Sequence, residues 1–372
     1  MSKKILLLTA GYGTGHISAS RSIGEEIHKI KPQDVEVKTY DFINTKGFIN
    51  AGRTFQKLYN WSMEKPWVWD TFFDWTNSRA ATYYFKTLFP LFYRKVHAIF
   101  DSENPDLCIV THPYWNFLIN DHNRENGKRV RYFCVVTDAI EIHQTWIDPD
   151  ADMYFVCDDA TGGIIESKGV KKEKIVVSGF PVSTLLGEPL DRKKFLNEFG
   201  LADMPTLLFV LGLGNVERFL EIIDNISKHK ELNFQVIVIT GKYKELQNVL
   251  QQKKYDVPTK IVGWTDRMAD FLRASDLVVS KGGGAIVMET LAAGKPIMIP
   301  VFTPGQERGN AKLIESNNFG FVRTGRDEAI ETLHGLLKYP ERLSVLRDNI
   351  KRFSKPFAAR DIAKIACKNI SG

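Results

Sequence analysis

Two hydrophobic periodicities alternate along the chain. Short apolar runs occur at Ile5 to Leu8, Val35 to Phe42, Leu107 to Val110, Arg131 to Val136, Thr206 to Leu211, Phe234 to Thr240, Lys260 to Val262, Leu277 to Ser280 and Pro296 to Pro300. They are short and nearly continuous, the pattern of strands buried on both faces of a parallel sheet. Between them, Ile17 to Ile30 and Ala285 to Ala293 carry helix formers, the first with the 3.6-residue period of a covered helix. Strands alternating with helices predict an α/β fold built from βαβ units. A break comes at Pro181 to Pro189, where Gly187 and the Gly179-Phe180-Pro181 corner read as a linker, after which a second strand and helix series begins. Two domains are therefore expected, 1–185 and 190–354, with a helical tail over 355–372 crossing back to the first. No internal repeat or low-complexity tract interrupts this order.

A length of 372 residues is long for one core and natural for two domains. The formal net charge of +6 is a mild basic bias that suits phosphate ligands or an anionic membrane surface and is too weak to argue for nucleic acid. Cys108, Cys134, Cys157 and Cys367 show no CxxC spacing and read as reduced, structural thiols, which favours the cytoplasm. Lys3-Lys4 before Ile5 to Leu8 resembles a signal peptide, but the apolar run is too short and stops at glycines. No run reaches the roughly 18 to 20 apolar residues of a membrane span, so membrane contact is expected to be peripheral. Phe48 to Phe100 is dense in aromatics, with Trp61, Trp67, Trp69 and Trp75 interleaved with Arg53, Lys57 and Lys65. That mixture suits an interfacial helix pair or acceptor funnel. Core packing is the alternative and accounts for most of these aromatics by count, since so large an exposed patch would aggregate.

The chemistry concentrates in Ser280 to Asn310. Gly282, Gly283 and Gly284 stand between a strand and a helix, where backbone can approach a ligand and the helix N-terminus favours a diphosphate. Glu289, one to two turns on, has the acceptor oxygens for two ribose hydroxyls. Thr303-Pro304-Gly305 forms a turn signal that hands Gln306 and Glu307 to the same rim, as candidate readers of sugar hydroxyls. Taken singly, each fits a glycine turn and a solvated Glu equally well; their joint order favours a nucleotide-sugar site. Gly212-Leu213-Gly214-Asn215 follows another strand and can offer backbone to a diphosphate.

Gly11, Gly13 and Gly15 make a second flexible loop, with His16 at a helix entrance. A dinucleotide fold begins similarly, but no matching acidic strand end follows. The helix dipole disfavours protonation of His16 and leaves either a neutral base or a plain helix cap. Thr111-His112-Pro113 and Thr137-Asp138 end strands where open α/β sheets bind ligands, and Asp138 is placed to orient an imidazole. Asp148-Pro149-Asp150 and Asp150-Ala151-Asp152 are DxD strings of the kind that hold a metal against diphosphate, but they precede a strand rather than follow one.

The Ser280 to Gly284 motif, Glu289, Gly294-Lys295-Pro296, Pro304-Gly305-Gln306-Glu307 and Asn310, with the amino-terminal glycines, Thr137-Asp138, His143 and Trp146, resemble family 28 glycosyltransferases. The likeness is to the diacylglycerol glycosyltransferases, the group of monogalactosyldiacylglycerol synthase and bacterial processive glucosyltransferases. One departure is Ile286, where the family usually carries Thr or Ser, so a hydroxyl contact to phosphate is missing. The resemblance implies the GT-B architecture, two Rossmann-like domains facing across a cleft, the first for acceptor and membrane and the second for donor. It implies an inverting, metal-independent transfer of a hexose from a UDP-sugar to diacylglycerol, on the inner face of the cell membrane, with no cofactor. By the same likeness His16 becomes the base beside Asp138, and His143 and Trp146 shape the acceptor side. Donor contacts fall to Gly13, Gly15, Gly212, Gly214, Gly263, Trp264, Lys281, Gly283, Gly284, Ala285, Glu289, Gln306, Glu307 and Asn310, with the Gly263-Trp264 backbone toward uracil. A UDP-N-acetylglucosamine 2-epimerase, a peptidoglycan-lipid transferase and an idle UDP-sugar sensor share parts of this pattern, and the hexose is left open.

Overall fold

A computed structural model describes residues 3–11, 14–42, 90–126, 129–140, 142–212, 216–302 and 307–370. Outside the described residues lie Gly13, Gly214 and Gln306, together with Arg53, Lys57, Trp61, Lys65, Trp67, Trp69 and Trp75. The chain divides into two compact units, Met1–Val182 with Phe357–Gly372, and Ser183–Pro356.

In the first unit six parallel strands run in the order β2-β1-β3-β4-β5-β6. They are β1 (Lys3–Thr9), β2 (Val35–Asp41), β3 (Leu107–Val110), β4 (Tyr132–Val135), β5 (Met153–Val156) and β6 (Ile175–Val177). The continuous apolar run of β1 has a simple cause: both of its faces are covered. Ile5 and Leu7 pack with Ile23 and Ile27 of the helix Thr14–Ile30 and with Ile362, Ala363 and Ala366 of the helix Ala358–Ile370. Leu6 and Leu8 point the other way, into a cluster with Trp115, Tyr132 and Trp146. The carboxyl-terminal helix buries Ala358, Ala359, Ile362, Ala363, Ala366, Cys367 and Ile370, an i, i+4 stripe whose small residues allow close packing. The Arg131 guanidinium ties it down, donating to the Asn369 carbonyl and to its Oδ1 at 3.1 Å each. All four cysteines are buried and none is joined in a disulfide.

The helix Pro90–Glu103 is anchored to the sheet edge by its last residue. Glu103 accepts from Lys4 Nζ at 2.8 Å, Lys38 Nζ at 2.8 Å and Tyr40 Oη at 2.7 Å. Hydrogen bonds from Lys38, Lys4 and Tyr40 hold its carboxyl down at about 2, from an ordinary 4.5. A carboxyl with a depressed folded pKa stabilises the fold above its unfolded value and loses that contribution as pH falls. Glu103→Gln is therefore expected to melt below wild type at pH 7. The gap should narrow as pH drops from 4.5 toward 2, and a pH-independent gap in thermal unfolding would exclude this role.

The second unit repeats the architecture with six parallel strands ordered β12-β11-β10-β7-β8-β9. They are β7 (Thr206–Val210), β8 (Gln235–Ile239), β9 (Thr259–Val262), β10 (Leu277–Ser280), β11 (Ile297–Ile299) and β12 (Gly320–Val322). Counted from its own first strand this is the Rossmann order 3-2-1-4-5-6 read from the other edge. Chain direction reverses across the sheet between β1 and β3 in the first unit and between β7 and β10 in the second, and ligands bind beyond the carboxyl ends at such points. The two Rossmann-like units are those of the GT-B fold. Among the described residues, no helix is long and apolar enough to cross a membrane.

Candidate functional site

The first switch point assembles around His16. Thr9 ends β1 and Val110 ends β3, and the first turn of the helix Thr14–Ile30 lies against Thr111 and His112 through His16. Gly11 N–H donates to Asp41 Oδ1 at 3.0 Å, pinning that loop to the end of β2. His16 Nδ1 lies 2.8 Å from the Thr111 carbonyl oxygen and 2.8 Å from Thr137 Oγ1. A carbonyl oxygen can only accept, so Nδ1 carries the proton and Nε2 is left as the basic nitrogen. Thr111 Oγ1 closes the arrangement by donating to the His16 carbonyl at 3.1 Å. Burial lowers the His16 pKa below 6.5, against an opposing pull from the Asp138 charge and the Thr111 bond. His112, edge-on at 4.7 Å between ring centroids, is buried and held well below its ordinary value by that burial and by His16. Both imidazoles are thereby kept neutral near pH 7.

Asp138 does not orient His16 by a hydrogen bond, contrary to expectation. Its Oδ2 accepts from Trp146 Nε1 at 2.6 Å, and the orienting is done by Thr111 and Thr137. Trp146, expected on the acceptor side, is fully buried with its ring 6.5 Å from that of His16. His143 caps the turn Gln144–Trp146, its Nδ1 accepting from Thr145 N–H at 3.3 Å. Nearby Ile140 has φ 61°, a left-handed backbone that a β-branched residue adopts only under strain, of the kind that gathers at functional sites.

The DxD aspartates are engaged in holding this loop. Buried Asp148 accepts from Tyr132 Oη at 2.6 Å and from Asn120 Nδ2 at 3.0 Å to each oxygen. Asp152 accepts from Arg129 at 2.9 Å and from Tyr132 N–H at 2.9 Å, while Asp150 faces Arg124 at the surface.

The second switch point gathers Gly212 after β7 and Ser280 to Gly284 after β10. A Cβ on Gly212 would stand 2.9 Å from Lys281 Cδ, and one on Gly282 would stand 2.9 Å from Phe302 Cβ. At Gly282 glycine alone fits beside Phe302 without a shift, whereas at Gly212 a Cβ would push the flexible Lys281 side chain aside. Gly283 caps the helix Gly284–Ala292 with no side-chain bond, so the N–H groups around Gly284 and Ala285 are left for a ligand. Glu289 is half-buried on the second turn of that helix.

Two assigned donor residues prove to brace the loop. Buried Glu307 pairs with Lys281 Nζ at 2.8 Å rather than standing free for sugar hydroxyls. Asn310, also buried, donates its amide to the Gly282 carbonyl at 2.9 Å. Beyond the carboxyl ends of β8 and β9 a cavity of about 530 Å³ is lined by Gly241, Lys242, Lys244, Gln247, Gly263 and Trp264. Trp264 is 65% exposed there, and Gly263 leaves room for the Gln247 amide, 2.4 Å from where a Cβ would lie. Sequence reading missed Lys242 and Lys244, whose only signal was position after a strand end.

Residues 16–182 match the family described as monogalactosyldiacylglycerol (MGDG) synthase, and residues 206–358 match the glycosyltransferase family 28 C-terminal domain. A processive diacylglycerol beta-glucosyltransferase of Staphylococcus epidermidis is 28% identical over 98% of this chain and 92% of its own. The Bacillus subtilis protein of the same name is 24% identical, over 94% and 91%. Among solved structures, a putative UDP-N-acetylglucosamine 2-epimerase from Listeria monocytogenes superposes with a TM-score of 0.64 at 13% identity, covering 97% of this chain and 95% of that one. The Anabaena protein HepE in complex with UDP-glucose gives 0.56 at 15%, over 98% and 99%. Those likenesses show the fold. With the family matches falling on both units and the relatives spanning nearly the whole length, the chain is similar throughout to the family 28 glycosyltransferases, in the group of monogalactosyldiacylglycerol synthase and the processive diacylglycerol glucosyltransferases.

Proposed function

We propose that this enzyme transfers a hexose from a UDP-sugar to a diacylglycerol-type lipid, inverting the anomeric centre to give a β-linked glycolipid. The observation that carries the reading is the His16 imidazole, with Nδ1–H engaged by Thr111 and Nε2 left basic at a sheet switch point. A neutral imidazole so placed takes the proton of the acceptor hydroxyl as that oxygen attacks the anomeric carbon. The bond to UDP breaks on the opposite face in the same displacement. Charge on departing UDP is stabilised by backbone N–H groups and the dipole of the helix Gly284–Ala292. Ile286 offers no hydroxyl to that phosphate, so the backbone carries more of the load. The names of the relatives support the lipid acceptor and the β linkage. Lys242 and Lys244 around the cavity at Gly263 and Trp264 suit an anionic nucleotide.

Release of UDP, followed with and without diacylglycerol in anionic vesicles, tests this reading. Lipid-dependent release, slower on neutral vesicles and unchanged by EDTA, is expected. Sugar conversion without lipid would instead indicate an epimerase, tight UDP-sugar binding without turnover would indicate a sensor, and loss of turnover in EDTA restored by magnesium would restore a metal to the diphosphate.

A further inference from the structure

Far from the residues discussed so far, two of the eight histidines of the chain converge on one carboxylate. His229 follows the helix Val216–Ile226, Glu231 lies in the 3-10 turn Lys230–Leu232, and His334 projects from the helix Arg326–Lys338. His229 Nδ1 is 3.0 Å from Glu231 Oε1, and the two imidazole centroids are 5.0 Å apart at 75°. One donor atom from each of the three residues falls within 4.8 Å of the other two. We propose that His229, Glu231 and His334 bind a divalent transition cation of the zinc class, clipping the 3-10 turn to the helix Arg326–Lys338.

Three features favour that occupant. Two neutral nitrogens and one carboxylate oxygen are the donor set of a three-ligand zinc site that keeps a position open to solvent. Tetrahedral zinc with bonds of about 2.0 to 2.2 Å needs donors roughly 3.3 Å apart, and the three donor atoms already lie within 4.8 Å of one another, with His229 Nδ1 and Glu231 Oε1 at 3.0 Å. The ligands also stand on fixed backbone. The turn is held by His229 N–H to the Ile226 carbonyl at 3.1 Å and Leu232 N–H to the His229 carbonyl at 3.0 Å, and it exits through Asn233 at φ 49°. His334 sits beside Leu333, which is fully buried in the same cluster as Phe219, Ile222 and Ile226 of the facing helix. Side-chain exposure of 37% at His229 and 61% at Glu231 gives an ion a direct path in.

A second histidine and carboxylate cluster, His97, Asp121 and Glu125, is arranged differently. There His97 turns Nε2 toward Asp121 and Nδ1 toward Glu125, each at 3.5 Å, so its two nitrogens face two carboxylates on opposite sides of the ring. The proposed clip also lies at the amino end of β8, the end of that strand opposite the cavity at Gly263 and Trp264, so its cation is separate from the nucleotide site.

The full-length protein is titrated with Zn²⁺ against a chromophoric chelator, with thermal unfolding followed in parallel. One zinc per chain is expected, with a melting temperature that rises as zinc is added. His334→Ala and the double variant His229→Ala/His334→Ala should weaken uptake by at least about 10-fold and abolish the thermal shift, while His97→Gln retains both. UDP release should be the same with and without zinc. Failure of wild type to take up zinc, uptake unaltered in the double variant, or uptake lost only in His97→Gln would each overturn the proposal.

Discussion

Replacing His16 by asparagine is expected to lower turnover by about 10²- to 10⁴-fold while leaving UDP affinity near wild type. Asparagine can still donate to the Thr111 carbonyl, but it takes no proton near neutral pH. A loss confined to turnover therefore marks proton transfer. If the residue served only to start the helix Thr14–Ile30, the variant would stay active. The pH profile gives an independent reading. Burial lowers the His16 pKa below 6.5, so the neutral base persists across neutral pH. On acidification kcat/KM falls only as pH drops through that lowered value, which places the acid limb below 6.5. An acid limb above 6.5, or near-normal turnover by His16→Asn, would remove the imidazole from the mechanism. Asp138 would then be the next candidate base.

Loss of the Glu289 carboxylate should weaken UDP binding by roughly 10- to 150-fold, the equivalent of about 1.5 to 3 kcal/mol for a charged hydrogen-bonding partner. The residue lies on the helix Gly284–Ala292, whose N-terminus is left for the diphosphate, and neighbouring Val287, Met288 and Thr290 are buried. A diphosphate bound at the first turn places the attached ribose along the helix, within reach of a carboxylate on the second turn. Two ribose hydroxyls can then donate to it. Glu289→Gln keeps the volume and one acceptor oxygen but not the charge, and should fall between wild type and Glu289→Ala. Calorimetric UDP affinity that is the same in all three proteins would refute the ribose role. Thermal unfolding run alongside separates a lost contact from a disturbed helix.

The main strands were legible because buried parallel strands demand continuous apolar residues. Leu107 to Val110 and Leu277 to Ser280 are found at the ends expected of them. The shorter β6 and β12, three residues each, carry too few side chains for a periodicity to emerge. Glycine loops were equally readable, since close packing leaves little room for a Cβ at Gly282, against Phe302, and at Gly212, against the Lys281 side chain. Composition and spacing thus determined the α/β class, the repeated doubly wound pattern, the absence of disulfides among the four cysteines and the family likeness.

Partner choice for polar side chains was a different matter, because it depends on which strand ends become neighbours. His16 is held by Thr111 and Thr137, 95 and 121 positions away, which meet it only because β3 and β4 follow β1 across the sheet. Asp138, Trp146, Glu307 and Asn310 have residue types that suit a ligand, yet folding turns Asp138 to Trp146, Glu307 to Lys281 and Asn310 to the Gly282 carbonyl. A buried polar group must find a partner within the fold, and tertiary structure alone decides whether that partner is protein or is left to a ligand.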